Sequence, residues 1–148
     1  MKVNNLLKRF AGCWKLVTTD LKNSKTNETV HPWGKNIVGR LMYIEDKMSV
    51  IITDLDRPKF SSVDPNAATD SEYRKAMNGM IVYFGDVEIE EENGIIKHHV
   101  IGSHFPNLEG GISVRYFKFI GKDLVLSVKD LLIGGIEVSG SLTWEKEV

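Results

Sequence analysis

From Gly12 to the carboxyl end, the chain is written as short runs rich in Val, Ile, Tyr, Phe and Thr, broken by Gly, Asn, Asp and Pro about every ten residues. That punctuation limits what the chain can fold into. Eight runs read as strands, at residues 13–19, 37–44, 48–54, 80–90, 94–104, 113–120, 124–129 and 135–145. The junctions Glu45-Asp46-Lys47, Glu91-Glu92-Asn93-Gly94 and Gly121-Lys122-Asp123 carry hairpin-turn chemistry, so strands adjacent in the chain are expected to pair antiparallel. Junctions this short exclude a parallel α/β architecture. The expected fold is all-β, a closed up-and-down antiparallel barrel of about eight strands.

Two helices interrupt this pattern. Leu6, Leu7 and Phe10 lie at helical spacing behind Asn4 or Asn5 as a cap, which predicts a short leading helix ending at Gly12. The long connection 57–79 contains Asp70 to Met77, a helical stretch with Thr69 or Asp70 as its cap and acids in its first turn. The other long connection, 23–34, ends in His31-Pro32-Trp33-Gly34. Long connections of this kind in a β domain often cover a mouth.

With 148 residues, 42% of them hydrophobic and 26% charged, the chain fits one soluble domain over 1–148 that needs neither disulfide nor metal to hold a core. Cys13 is the only cysteine and has no internal partner, which fits a reducing compartment. Nineteen basic against twenty acidic residues leave a net charge of −1, so bulk charge draws the chain towards neither nucleic acid nor anionic lipid. No signal-peptide core and no membrane-length apolar run appear, and the expected location is cytoplasmic.

Side chains alternate across a strand, so each run divides into two faces. Arg115 shares its face with Phe117 and Phe119, an unusual company for a solvated arginine. Either Arg115 enters an aromatic-lined cavity and meets an anionic or carbonyl group of a ligand, or it pairs with a carboxylate such as Glu88. By the same alternation His98 and His104 share a face, with His99 opposite. They stand six residues apart on an extended strand, about 20 Å, too far to share a metal ion. A histidine inside the barrel beside Tyr83 or Arg115 can shuttle a proton; the other reading is a core histidine bonded to a backbone carbonyl. Trp14 and Trp144 read as core, Trp14 plugging one end and Trp144 closing the last strand on the first. Trp33, in a loop, either stacks on a ligand or caps the loop. There is no G-x-S-x-G, P-loop or dinucleotide fingerprint.

The ordered set of motifs is more specific than any one of them. It runs through Gly12-Cys13-Trp14-Lys15-Leu16, His31-Pro32-Trp33-Gly34, Gly39-Arg40-Leu41-Met42-Tyr43, Met48-Ser49-Val50 and Arg57-Pro58. It continues through Tyr83-Phe84-Gly85, His98-His99-Val100, Ser103-His104-Phe105-Pro106-Asn107, Arg115-Tyr116-Phe117, Leu124-Val125-Leu126-Ser127 and Leu142-Thr143-Trp144-Glu145. From about residue 10 onward this resembles the bacterial and fungal lipocalin-like domain family. The resemblance implies a small calycin-type barrel with an interior cavity, and an activity among ligand carriers or cyclases and isomerases, some linked to natural-product pathways. The family often has Asn where this chain has His104, so any role for His104 would be its own.

Two functions follow as expectations. The first is binding of a small, largely apolar molecule with a polar or acidic end, by Arg115, His98, His104, Tyr83, Trp33, Arg40, Phe117 and Phe119. The alternative is a metal-free, cofactor-independent isomerase or cyclase with His98, Tyr83 and Arg115 as catalytic groups. A filled barrel with a structural role is the third possibility. The expected partner is a small molecule, with no nucleic acid or membrane, and a homodimer is left open.

Overall fold

Alternation along each run carries through to a closed sheet. A computed structural model describes residues 2–147. Eight strands, β1 (Gly12–Asn23), β2 (Ile37–Ile44), β3 (Lys47–Asp54), β4 (Met80–Glu90), β5 (Ile95–Ser103), β6 (Ile112–Ile120), β7 (Asp123–Ile133) and β8 (Ile136–Glu147), pair in chain order, and β8 returns to β1. Every pairing is antiparallel. Three strands run longer than expected: β1 continues past Thr19 to Asn23, β7 past Lys129 to Ile133, and β8 past Glu145 to Glu147.

Inward positions repeat every second residue: Leu41 and Tyr43 on β2, Met48, Val50 and Ile52 on β3, Leu124, Leu126 and Val128 on β7. The tight hairpins β2–β3, β4–β5 and β6–β7 fall at one end of the barrel, and β7–β8, turned by Gly134-Gly135, falls at the other. The β4–β5 turn closes through Gly94 at φ 64°, a left-handed conformation that suits glycine.

The same end is stopped by α1 (Lys2–Phe10). The helix begins before Asn4 and Asn5, so neither caps it; Leu6 and Phe10, four residues apart on one face, are buried. The Phe10 ring meets Tyr43, Phe117 and Phe119 edge-on at 5.3, 5.1 and 5.0 Å between centroids. Trp14 completes this plug, donating from Nε1 to the Phe10 carbonyl at 2.7 Å.

The opposite end carries the long connections. There α2 (Asp70–Asn78) starts at a Thr69 capping box in which Glu72 answers the Thr69 backbone. Arg57 holds this segment to the end of β3, donating from Nε to the Asp54 carbonyl at 3.1 Å and from Nη1 to the Ala76 carbonyl at 3.3 Å. Among the described residues, no helix is long and apolar enough to cross a membrane.

Register slips at Val17 on β1, on β5, and at Lys129-Asp130 on β7 change which residues face inward, and the one on β5 bears on the site. Between β4 and β5 the register slips, with Gly85 opposite Val100 but Phe84 opposite Gly102, leaving Ile101 as an extra residue on β5. Beyond this bulge, Ser103 stands across from Tyr83, and His104 falls opposite Val82. Strict alternation put His98 and His104 on one face. The bulge separates them.

Candidate functional site

His98 occupies an inward position on β5 and is 1% exposed. Its Nε2 lies 2.7 Å from the Tyr43 hydroxyl on β2, and its Nδ1 lies 2.8 Å from the Tyr83 hydroxyl on β4. Both ring nitrogens are therefore taken by neutral groups, with no carboxylate among them. Burial pushes the His98 pKa down to about 3, and the positive charge of Arg115 adds to the shift. Burial likewise raises the Tyr43 hydroxyl well above its ordinary value. It raises Tyr83 too, although Arg115 opposes that rise. At neutral pH the three form an uncharged chain, Tyr43–His98–Tyr83. A neutral imidazole has one donor and one acceptor, so one hydroxyl donates to the ring and the other accepts from it.

Beside this chain is an interior cavity of about 40 Å³. That is roughly three waters' worth, room for a compact molecule rather than a long acyl chain. Leu41, Val50, Ile52, Leu126, Val128 and Leu142 make its walls apolar. Tyr83, His98 and Arg115 are the polar side chains among its lining residues, which also include Trp33 and Trp144. Arg115 stands across from Ile96 and is half-buried, and its Nη1 donates to the Val114 carbonyl at 2.9 Å. Among the described residues it forms no ion pair. Glu88, a possible partner by sequence, instead accepts from His99 Nε2 at 2.8 Å. Trp144 is buried, and its Nε1–H has no acceptor among the described residues.

The residues singled out by sequence thus divide. Tyr83, His98, Arg115 and Trp33 come together at the cavity, Trp33 reaching in from the β1–β2 connection at 8% exposure. Phe117 and Phe119 share Arg115's inward face as expected, but their rings go to the Phe10 plug and do not line the cavity. Arg40 is on the outer face, ion-paired with Glu147 at 3.0 Å and 60% exposed, away from the cavity. His104 turns to the backbone of Val82, 3.0 Å from its Nδ1. Tyr43 was not singled out as a site residue. Its alternation with Leu41 placed it inside, where a buried phenol requires a hydrogen-bond partner. Among the described residues, no group of three or more His, Cys, Asp or Glu is placed to hold a metal ion.

A closed eight-stranded antiparallel barrel, plugged at its hairpin end and holding a small apolar cavity beneath a loop tryptophan, defines a calycin-type barrel. A family model described as the lipocalin-like domain matches residues 11–147, and the chain belongs to that family. The match takes in all eight strands and leaves α1 outside. No curated protein and no solved structure is significantly similar to the chain.

Proposed function

We propose that the barrel binds one small, largely apolar molecule with a polar or acidic end, held inside with that end at Arg115. The observation that carries this reading is an arginine in an apolar cavity with no carboxylate partner among the described residues. A guanidinium cannot shed its charge, so in such a place it calls for an acceptor, and a ligand oxygen suits its planar donors. Tyr83 beside it adds a hydroxyl, and Trp33 is placed to cover the occupant. The lipocalin-like fold supports binding in a cavity.

The isomerase or cyclase alternative asks His98 to exchange a proton with the occupant. Both of its nitrogens are engaged by tyrosines, and burial keeps the ring neutral, so a proton would have to pass through Tyr83. Binding is the better-supported function.

Native mass spectrometry of freshly purified protein, set against the denatured mass, should reveal a bound small molecule. Titration with compact probes, followed through the methyl resonances of Leu126, Val128 and Leu142, should show saturable binding inside the barrel. Arg115→Met should weaken acidic probes about tenfold or more while leaving neutral ones nearly unchanged. Equal weakening of both sets would remove Arg115 from the polar end, and no interior shift with any probe would sink the binding reading.

A further inference from the structure

The barrel wall is not equally closed all round. β6 and β7 pair over their hairpin half only: the register runs from Ile120 opposite Asp123 to Tyr116 opposite Ser127 and stops there. Beyond it β6 keeps β5 as its partner as far as Ile112, and β7 keeps β8 as far as Ile133, so the two strands part and leave a split in the side of the barrel. The cavity reaches this split from within. Arg115 on β6 and Val128 and Leu131 on β7, all past the last pair, belong to its lining.

Arg115 marks the fork. Successive residues of a strand aim their backbone groups at alternate neighbours. Phe117 donates to the Gly94 carbonyl on the β5 side, so Val114 and Tyr116 face β7. Tyr116 has Ser127 there; Val114 is the first residue without a ladder partner, and its carbonyl accepts from Arg115 Nη1 at 2.9 Å instead. That bond holds the half-buried guanidinium at the edge of the split, with its remaining donors between interior and solvent. Both ends of the barrel are shut by comparison. α1 and Trp14 fill one; at the other Trp33 is buried, and Gly34 behind it packs so closely on Asp54 that a Cβ would overlap the carboxylate.

We propose that the β6–β7 split is the ligand's way into the barrel and the seat of its anionic head, so that the cavity limits only the apolar tail. This deepens the binding reading above and rests on it. The ligand class is an amphiphile with a compact apolar tail of a few carbons and an anionic head free to be larger than the cavity. The tail meets Leu126, Val128 and Leu131, and the head meets Arg115. A guanidinium sealed wholly inside without a partner would be costly; at a split it keeps part of its hydration until the head arrives.

Two probes with one tail test this: 3-methylbutanoate and N-(3-methylbutanoyl)glycine, whose anionic head is longer by a glycine unit. Each is titrated into amide- and methyl-labelled full-length protein. Both are expected to shift the Val128 and Leu131 methyls and the Val114 amide, with dissociation constants within about threefold of each other. Before either is added, the Val114 amide should exchange with solvent at least about tenfold faster than that of Lys118, which has Val125 opposite. A bridge across the split, Val114→Cys with Lys129→Cys in a Cys13→Ser background, should weaken the conjugate about tenfold or more when oxidised and restore its binding on reduction. Three results would each overturn the proposal and leave cavity binding standing: 3-methylbutanoate bound inside while the conjugate is refused, equal protection of the Val114 and Lys118 amides, or an oxidised bridge that leaves binding unchanged. Should neither probe shift an interior methyl, both readings fall. The probe pair and the amide comparison need no variant, so they decide even if the bridge does not form.

Discussion

At the scale of single residues, His98 shows how an interior sets chemistry. An imidazole on the surface gains a proton near pH 6.5, but here protonation would put a charge among apolar side chains and break the bond in which it accepts. The sign of the consequence is fixed. With the folded pKa lowered to about 3, the unfolded chain binds a proton on His98 between about pH 6.5 and about 3 that the folded chain does not. Stability from this residue is fully present above the unfolded value and is lost as pH falls through that window. The slope approaches about 1.4 kcal/mol per pH unit, or about 2 kcal/mol lost between pH 7 and pH 5. Urea midpoints of wild type and His98→Gln across that range measure it, since glutamine offers a donor and an acceptor but no titration. The wild type should lose more stability than the variant as pH falls. Parallel curves would mean that His98 is not held neutral by burial.

The secondary elements divide into those legible in advance and those that were not. Turns were legible because their chemistry is local: the run Glu91 to Gly94 closes β4–β5, and Thr69 with Glu72 starts α2, as residue type and spacing imply. Bulges were not: the strand glycines Gly85 and Gly102 mark this one, but they do not say that Ile101 is the residue that slips, and that slip moved His104 off the face of His98. The shared face of Arg115, Phe117 and Phe119 was legible too. Its division between cavity and plug was not, since that depends on Phe10 arriving from a different element. The leading helix is thus a structural part of the barrel, although the family match begins at residue 11. Phe10→Ala should cost about 3–5 kcal/mol in chemical denaturation, the range for emptying a buried aromatic site. It should also broaden or shift the Tyr43, Phe117 and Phe119 resonances. A loss below about 1 kcal/mol would mean that the barrel closes without the helix.

For the whole molecule, the question is what makes the sheet a barrel instead of an open, twisted ribbon with two bare edges. The β1–β8 seam does this, joining residues near opposite ends of the chain, with Leu16 opposite Trp144 and Leu21 opposite Gly140. It also positions the site, because Trp144 is brought to the cavity by this seam and by β7. Gly140 sits on it at φ 138°, where a Cβ would overlap the Asp20 carbonyl oxygen. Relief there would require moving backbone across the seam, not rotating a side chain. Gly140→Ala should therefore cost more than about 4 kcal/mol, in the class of substitutions that strain a special conformation and a packed interior together. Gly134 supplies the control: its φ is also positive, at 62°, but a Cβ there meets nothing within 4 Å. Its alanine variant should lose only about 1–2 kcal/mol, the intrinsic cost of the left-handed conformation. If denaturation midpoints ranked the two variants equally, conformation alone would account for both, and close contact at the seam would have no special part in closing the barrel. The predicted gap would instead mark β1–β8 as the junction where the fold, and with it the cavity, is most easily opened.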